Sequence, residues 1–453
     1  MKILLLNPPA KVLVNREYYC SKTVKSTYLF SPIDLLLQSG ILSENNELVV
    51  LDAIALRWSL KKTLEYIRSL NPEVILGLVS MVLLSWDLEF YQALRQVLPS
   101  VRIFLSGEPI LEDPKGWLEK YSFIDGLVLR FASSGLRDYL EGKAEPEALA
   151  VRENSKIKIF PPQNLAEYSV GRSRQELFQY KSYFFSFARK RRFATMLTDF
   201  GCPHKCRFCV MASLGYRRRN LEEVEEELDF LRWLQSSELF LADQSFGSHQ
   251  AHSQKVMELL ARYGFSYTTF VRPDHSRNFW KELRESGCHT VIMGVENADE
   301  GILRSYQKGY GLEEIKNGVK QAQEQGLRVV ATVIIGLPED TRESILKTTR
   351  FLRELEPDFV SYNLAVARNL TEFKTEAFRQ GLVLGPEMDQ AGNLARIRTY
   401  TLDAQELLNL KKRAIRDFYL RPGYILKRLF SARSWFEIYA LFREGSAVLL
   451  KNI

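Results

Sequence analysis

At 453 residues with 46% apolar side chains, the chain exceeds one ordinary core and can fill more than one, so two or three domains are expected. Its 62 basic against 55 acidic side chains leave +7, too modest over this length for the cationic stripe of a nucleic-acid binder. Five cysteines are too few for a secreted disulfide framework and fit a reducing cytoplasm, and no apolar run reaches the roughly 18 residues of a bilayer span.

The apolar run over 2–6 is cut by Asn7-Pro8-Pro9, too short for a signal core, and predicts a buried first strand. Apolar spacing then predicts a helix over 32–43, a strand over 48–51, a helix over 60–70, a strand over 74–80, a helix over 86–98, strands over 103–105 and 127–129, and a helix over 135–139. Such alternation is the pattern of a parallel doubly wound sheet, whose ligands bind beyond the carboxyl ends of the strands. Those ends carry Asn7-Pro8-Pro9, Asp52-Ala53-Ile54, Ser80-Met81-Val82, Ser106-Gly107-Glu108-Pro109 and Arg130-Phe131-Ala132-Ser133, which together would form one rim or simply turn the chain. Between 142 and 193 the periodicity is lost and a surface connector is expected. It ends in the run Arg189-Lys190-Arg191-Arg192, either a solvated face or an anion-binding cap.

A second series follows. Strands are predicted over 194–198, 238–242, 266–271, 290–295, 328–335 and 359–364, with helices over 221–234, 252–263, 277–286, 312–325 and 342–355. Six parallel strands are too few for a complete eight-stranded barrel, so a partial barrel is expected, working at the carboxyl ends of its strands. After residue 371 the chain reads as helical and basic. Over 424–453 Ile425, Leu429, Trp435, Ile438, Leu441, Leu449 and Leu450 stand among Lys and Arg, the pattern of a packed helix pair or of peripheral lodging on a membrane surface.

Chemistry concentrates in Gly201-Cys202-Pro203-His204-Lys205-Cys206-Arg207-Phe208-Cys209, which holds three of the five cysteines. Three thiolates on one loop can hold three irons of a cubane and leave the fourth iron open to a cofactor. Zinc is the competing reading of the CxxC pair, but it needs four ligands. His204, between Pro203 and Lys205, would close a badly strained site.

With Phe208 before the third cysteine, this loop resembles the cluster motif of the radical S-adenosylmethionine (SAM) superfamily. The resemblance implies a 4Fe-4S cluster on Cys202, Cys206 and Cys209, SAM chelated by the fourth iron, and one-electron cleavage giving a radical that abstracts a substrate hydrogen. It implies SAM contacts at successive strand ends: Asp243 near the amino group, Arg272 at the carboxylate, Glu296 at the ribose hydroxyls or amine, and Gly336 where backbone approaches adenine. The first 140 residues resemble the cobalamin-binding domain of one branch, which includes C-methyltransferases, oxidative cyclases and lipid-modifying enzymes. Asp52, Ser80 and Gly107 would then be cobalamin contacts. There is no histidine before His204 to serve as a lower imidazole ligand, and Arg130-Phe131-Ala132-Ser133 stands where an acidic Glu-Gly-Glu-like turn is common.

The expected architecture is therefore a Rossmann-like cobalamin-binding-type domain over 1–142, a linker over 143–192, a radical SAM partial barrel over 193–370 and a helical region over 371–453. The expected activity is cobalamin-dependent C-methylation of a lipid or natural-product intermediate, fed by an electron donor such as flavodoxin or ferredoxin. The alternatives are radical C–C bond formation, cyclisation or dehydrogenation without methyl transfer, and a cluster-bearing binding protein that does not cleave SAM. The expected localisation is cytoplasmic, with peripheral membrane contact through the C-terminal region.

Overall fold

The computed structural model describes residues 1–18, 21–25, 27–385, 388–389, 391, 394–432 and 434–452, without the side chains of 448–452. Cys20 and the side chains of Leu449 and Leu450 lie outside the described residues. The chain divides into two compact units, one of Met1–Thr23, Leu29–Tyr183 and Arg217–Leu234, the other of Val24–Tyr28, Phe184–Tyr216 and Gln235–Ile453.

The first unit is built on a seven-stranded sheet in the order Glu47–Asp52, Lys2–Asn7, Val74–Leu78, Arg102–Ser106, Gly126–Val128, Leu149–Glu153, Lys156–Phe160. The first five are parallel. Strand order reverses beside Lys2–Asn7, and a doubly wound sheet opens its ligand crevice at such a switch, beyond the carboxyl ends. Helices Ile33–Leu42, Leu60–Leu70 and Leu84–Val97 lie within the crossovers. Leu4, Leu6, Ile75, Phe90, Tyr91, Ile103 and Leu105 form the core, which is why the parallel strands read as continuous apolar runs.

The sheet also extends into the stretch expected to be a plain connector. Leu149–Glu153 and Lys156–Phe160 pair antiparallel through Asn154 and Ser155, whose φ angles of 46° and 64° are those of a tight type I′ hairpin. Lys156 and Lys158 face solvent on this edge strand and mask its β pattern while guarding the edge.

In the second unit Ala194–Met196, Glu238–Phe246, Ser266–Val271, Cys288–Glu296, Arg328–Ile335 and Phe359–Leu364 lie side by side in chain order, all parallel. Among the described residues the last strand does not pair back with the first, so the barrel is partial. Helices Gln250–Tyr263, Arg277–Glu285, Leu312–Glu324 and Arg342–Leu355 return the chain. Their starts follow the capping rules: Ser276 accepts from Phe279 N, and Thr341 and Ser344 form a reciprocal box. Helix Leu221–Trp233 groups with the first unit instead. Helix Ala404–Tyr419 belongs to the second, where Leu407, Leu410 and Phe418 are buried and the Tyr419 hydroxyl bridges Val360 N and O at 2.9 and 2.7 Å. No helix among the described residues is long and apolar enough to cross a membrane.

Near the amino ends of these strands His289 donates from Nε2 to Glu238 Oε1 at 2.8 Å, while Arg328 Nη2 approaches its Nδ1 at 3.1 Å. Burial pushes the His289 imidazole down to about 4, whereas an unfolded histidine titrates near about 6.5. Between those values only the unfolded chain takes up the proton. Stability is therefore expected to fall as pH drops from about 6.5 towards 4, by up to about 1.4 kcal/mol per unit from this group. His289→Gln, which keeps a donor to Glu238, should flatten that slope in denaturant unfolding at several pH values.

Candidate functional site

The cysteine loop leaves strand Asp199–Gly201 and runs into the short helix Met211–Leu214. Gly201 sits at φ 85°, and a Cβ there would lie 1.6 Å from Gly215 O, so only glycine permits the close approach. Gly201→Ala should displace the loop and lower iron retention after anaerobic reconstitution. Backbone bonds fix the loop further: Cys209 N donates to Cys206 O at 3.0 Å, Arg207 N to Tyr306 O at 3.1 Å, and Phe373 N to Arg207 O at 3.1 Å.

Cys206 is buried and Cys202 and Cys209 are half-buried, all free thiols. Burial, together with the neighbouring thiols, pushes Cys209 up to about 12 and raises Cys202. Among the described residues no three His, Cys, Asp or Glu side chains close on a single ion. A cubane needs no such convergence, because each thiolate takes a different iron. His204, the competing fourth ligand for zinc, instead places Nε2 3.3 Å from Ser248 Oγ.

Cations face the thiols. Lys308 Nζ donates to Glu296 Oε1 at 2.8 Å and lies 5.5 Å from the Phe208 ring centroid. Burial opposes its charge, yet Glu296, Tyr310 and Cys206 hold it well above the usual lysine range. Arg272 is clamped by Asp274 at 3.0 and 2.7 Å, donates to Lys308 O at 3.2 Å, and stacks 4.6 Å over Tyr310. Gly294 makes room for the pair, since a Cβ there would lie 2.3 Å from Glu296 Oε1 and 2.7 Å from Lys308 Nζ. Glu296 itself has φ 59°, a left-handed backbone rare for such a residue and often found at functional sites. Three thiols beside two fixed cations and a carboxylate fit both an anionic cluster and a zwitterionic ligand.

Asp243 lies behind this surface, fully buried. Its Oδ1 accepts from Thr198 N at 2.6 Å and Asp199 N at 3.1 Å, and its Oδ2 from the Thr198 hydroxyl. It thus holds the segment that enters the cysteine loop. Burial and Asp243 push the Asp199 carboxyl well above the usual range. Gly336, at φ 93°, donates its N–H to Asp340 Oδ2 at 2.9 Å, and Asn297 Nδ2 donates to Asp340 Oδ1 at 2.8 Å, tying together the ends of the fourth and fifth barrel strands.

The structure brings together the three cysteines, Arg272 and Glu296, and sets Asp243 within the second barrel strand and Gly336 just after the fifth. Sequence reasoning missed Lys308, Tyr310, Asp199 and Asp340. The signal available for the first two was the turn Lys308-Gly309-Tyr310, a cation and an aromatic beside a glycine.

In the first unit Asp52 accepts from Asn7 Nδ2 at 3.0 Å, the Tyr183 hydroxyl at 3.0 Å and Ala55 N at 2.9 Å. Ser80 Oγ donates to Asp87 Oδ2 at 3.0 Å. Arg16 completes the network, holding Asp87 at 2.7 and 3.2 Å and donating to Asn7 Oδ1 at 2.8 Å. Asp52 and Ser80 are fully buried. A Cβ on Gly107 would lie 2.0 Å from Val79 O. The side chains of Asp52 and Ser80 are engaged within this network and brace the rim from within.

Residues 197–352 match the family model described as the radical SAM superfamily. This chain carries a radical SAM domain. The matched span takes in the cysteine loop, Asp243, Arg272, Glu296, Lys308 and Gly336. An uncharacterized methyltransferase of Pyrococcus horikoshii is 24% identical over 452 residues, covering 95% of each chain. The hopanoid C-2 methylase of Rhodopseudomonas palustris is 26% identical over 196 residues, 40% of this chain and 37% of that one. Among solved structures, the radical S-adenosylmethionine methyltransferase TsrM of Kitasatospora setae, with cobalamin and a 4Fe-4S cluster bound, matches with a TM-score of 0.68 at 16% identity over 93% of this chain and 89% of its own. The cobalamin-dependent S-adenosylmethionine radical enzyme OxsB, with aqua-cobalamin and SAM bound, matches at 0.69 and 15% identity over 99% and 72%. These likenesses bear out the expected α/β fold, with a Rossmann-like N-terminal domain ahead of the radical SAM domain. A radical SAM enzyme works with a 4Fe-4S cluster, SAM, an electron donor and a small-molecule substrate.

Proposed function

We propose that this chain cleaves SAM at a cluster on Cys202, Cys206 and Cys209 to abstract hydrogen from an unactivated carbon, and that it C-methylates a lipid or natural-product intermediate with the help of cobalamin. When bound, the cluster with SAM supplies the hydrogen-abstracting radical and cobalamin supplies methyl transfer, so no side-chain base need carry the hard step. The observation that carries the reading is the loop of three thiols facing Lys308, Arg272 and Glu296.

The residues bind and orient. Arg272, held rigid by Asp274, offers its guanidinium to the SAM carboxylate. Lys308 sets the Glu296 carboxylate, which takes the ribose hydroxyls or the amine. Asp243 holds the entry to the loop, and Gly336 lets backbone approach adenine. Cobalamin is supported by fold likeness along both units to TsrM and OxsB, with Asp52, Ser80 and Gly107 bracing the rim that would carry it. The substrate we assign is a lipid or natural-product intermediate, and the reductant is a flavodoxin or ferredoxin.

SAM bearing a deuterated methyl group tests the outcome. A labelled methyl in the product, with corrinoid bound to the anaerobically reconstituted protein, supports methylation. An unlabelled product with a new ring or double bond would assign radical cyclisation or dehydrogenation instead, and corrinoid that fails to bind would reject the methyltransferase reading.

A further inference from the structure

Two features take no part in the radical chemistry: the run Arg189-Lys190-Arg191-Arg192 and the apolar C-terminal helices. The second unit brings them to one end. Arg189 Nε lies 3.8 Å from Glu437 Oε1, Phe184 packs edge-on against Phe436 and Tyr439, and Arg443 lies 4.2 Å over Phe184. Arg328, which opens the fifth barrel strand, pairs with Glu437 at 3.2 Å. This is the amino-terminal end of the barrel strands, whereas the cysteine loop follows the carboxyl end of the first.

Helices Pro422–Ser431 and Trp435–Asn452 turn apolar side chains outward here. Phe430 is 86% exposed, Trp435 85% and Phe442 65%, with Leu426 and Tyr439 beside them at helical spacing. Of the 18 exposed large apolar side chains among the described residues, seven fall within 425–442, a concentration that scattered surface hydrophobics do not produce. Phe430 lies in the last turn of the first helix and Trp435 opens the second, so the two most exposed rings stand close together in the chain.

Both signs of charge occur around this face. Both described acids on the helices are engaged, Glu437 by Arg328 and Arg189, and Glu444 by Thr27. Lys190 and Arg191 are exposed and follow Arg189 in the chain, Lys190 donating to Ser237 Oγ at 2.6 Å, while Lys427, on the first of the two helices, is exposed and paired with the exposed Glu356. Aromatic tips within a cationic margin match an anionic lipid–water interface, where rings enter the acyl boundary and cations meet headgroups.

We infer that the amino-terminal end of the barrel seats on an anionic lipid surface through Phe430, Trp435 and Phe442, with Lys190, Arg191 and Lys427 at the headgroups. The inference rests on the lipid reading of the substrate only in placing the enzyme at a membrane, and the seated end is the one opposite the cysteine loop. It fails or succeeds apart from the radical chemistry, because vesicle binding and 5'-deoxyadenosine formation are measured separately.

The test is flotation of the full chain with vesicles of phosphatidylcholine alone and of phosphatidylcholine with phosphatidylglycerol. The chain is expected to float with the anionic vesicles and to release in salt. Phe430→Ser with Trp435→Ser should lower partitioning on the order of tenfold. Lys190→Glu with Arg191→Glu should lower it by roughly fivefold or more per replaced cation. All four side chains are at the surface, and unchanged circular dichroism and melting identify variants that fold. No flotation with either vesicle, equal flotation with both, or binding undiminished in both folded variants would overturn the inference. So would a dimer that the apolar double replacement dissolves without any vesicle binding, which would assign the face to a second copy of the chain.

Discussion

Cys206→Ala is expected to abolish reductive cleavage of SAM and to leave the reconstituted protein without its visible cluster absorption. The main-chain bonds that shape the loop, from Cys209 N, Arg207 N and Phe373 N, use no cysteine side chain, so the replacement removes a ligand and leaves the loop's path. Losing a direct ligand should cost more than the roughly 10–100-fold that a supporting contact around a metal site costs. Cys202→Ala and Cys209→Ala should behave alike. Cys288→Ala is the control: Cys288 is fully buried in the fourth barrel strand, where its thiol points to Thr290 O, and its iron content should match the parent's. Iron retained by all three loop variants would remove the cluster from this loop.

Lys308→Met is expected to damage both stability and SAM use. Lys308 and Glu296 are only 11% and 9% exposed, so the methionine leaves a buried carboxylate without its cation, a change that costs about 3–5 kcal/mol. Adding Glu296→Gln removes the stranded charge and should return most of the melting temperature. It should not return activity, because the carboxylate that Glu296 offers to SAM is gone. A double variant that recovers both would make the pair purely structural; one that recovers melting alone separates binding from packing. SAM affinity by calorimetry together with thermal unfolding makes the distinction.

Much of the fold was legible because its signals are local. The continuous apolar runs at Lys2–Asn7 and Val74–Leu78, and the regular helices of the barrel, announce buried parallel strands with crossovers. The cysteine loop was legible because its ligands are consecutive in the chain. Lys308 was not, because it reaches Glu296 from a turn between helices and its role exists only after folding. Asp52 and Ser80 lie at strand ends as expected, but no spacing could reveal that Arg16 links their partners Asn7 and Asp87. The hairpin at Asn154 and Ser155 was hidden by exposed lysines, and the meeting of residues 189–192 with 425–442 depends on contacts between segments far apart in sequence.

The most direct test of the central claim is anaerobic reconstitution with iron and sulfide, followed by SAM, a strong reductant and an assay for 5'-deoxyadenosine. Bound iron with matching sulfide, a cluster spectrum perturbed by SAM, and 5'-deoxyadenosine dependent on all three loop cysteines are expected. Zinc in place of iron, or an intact cluster that neither responds to SAM nor cleaves it, would contradict the claim.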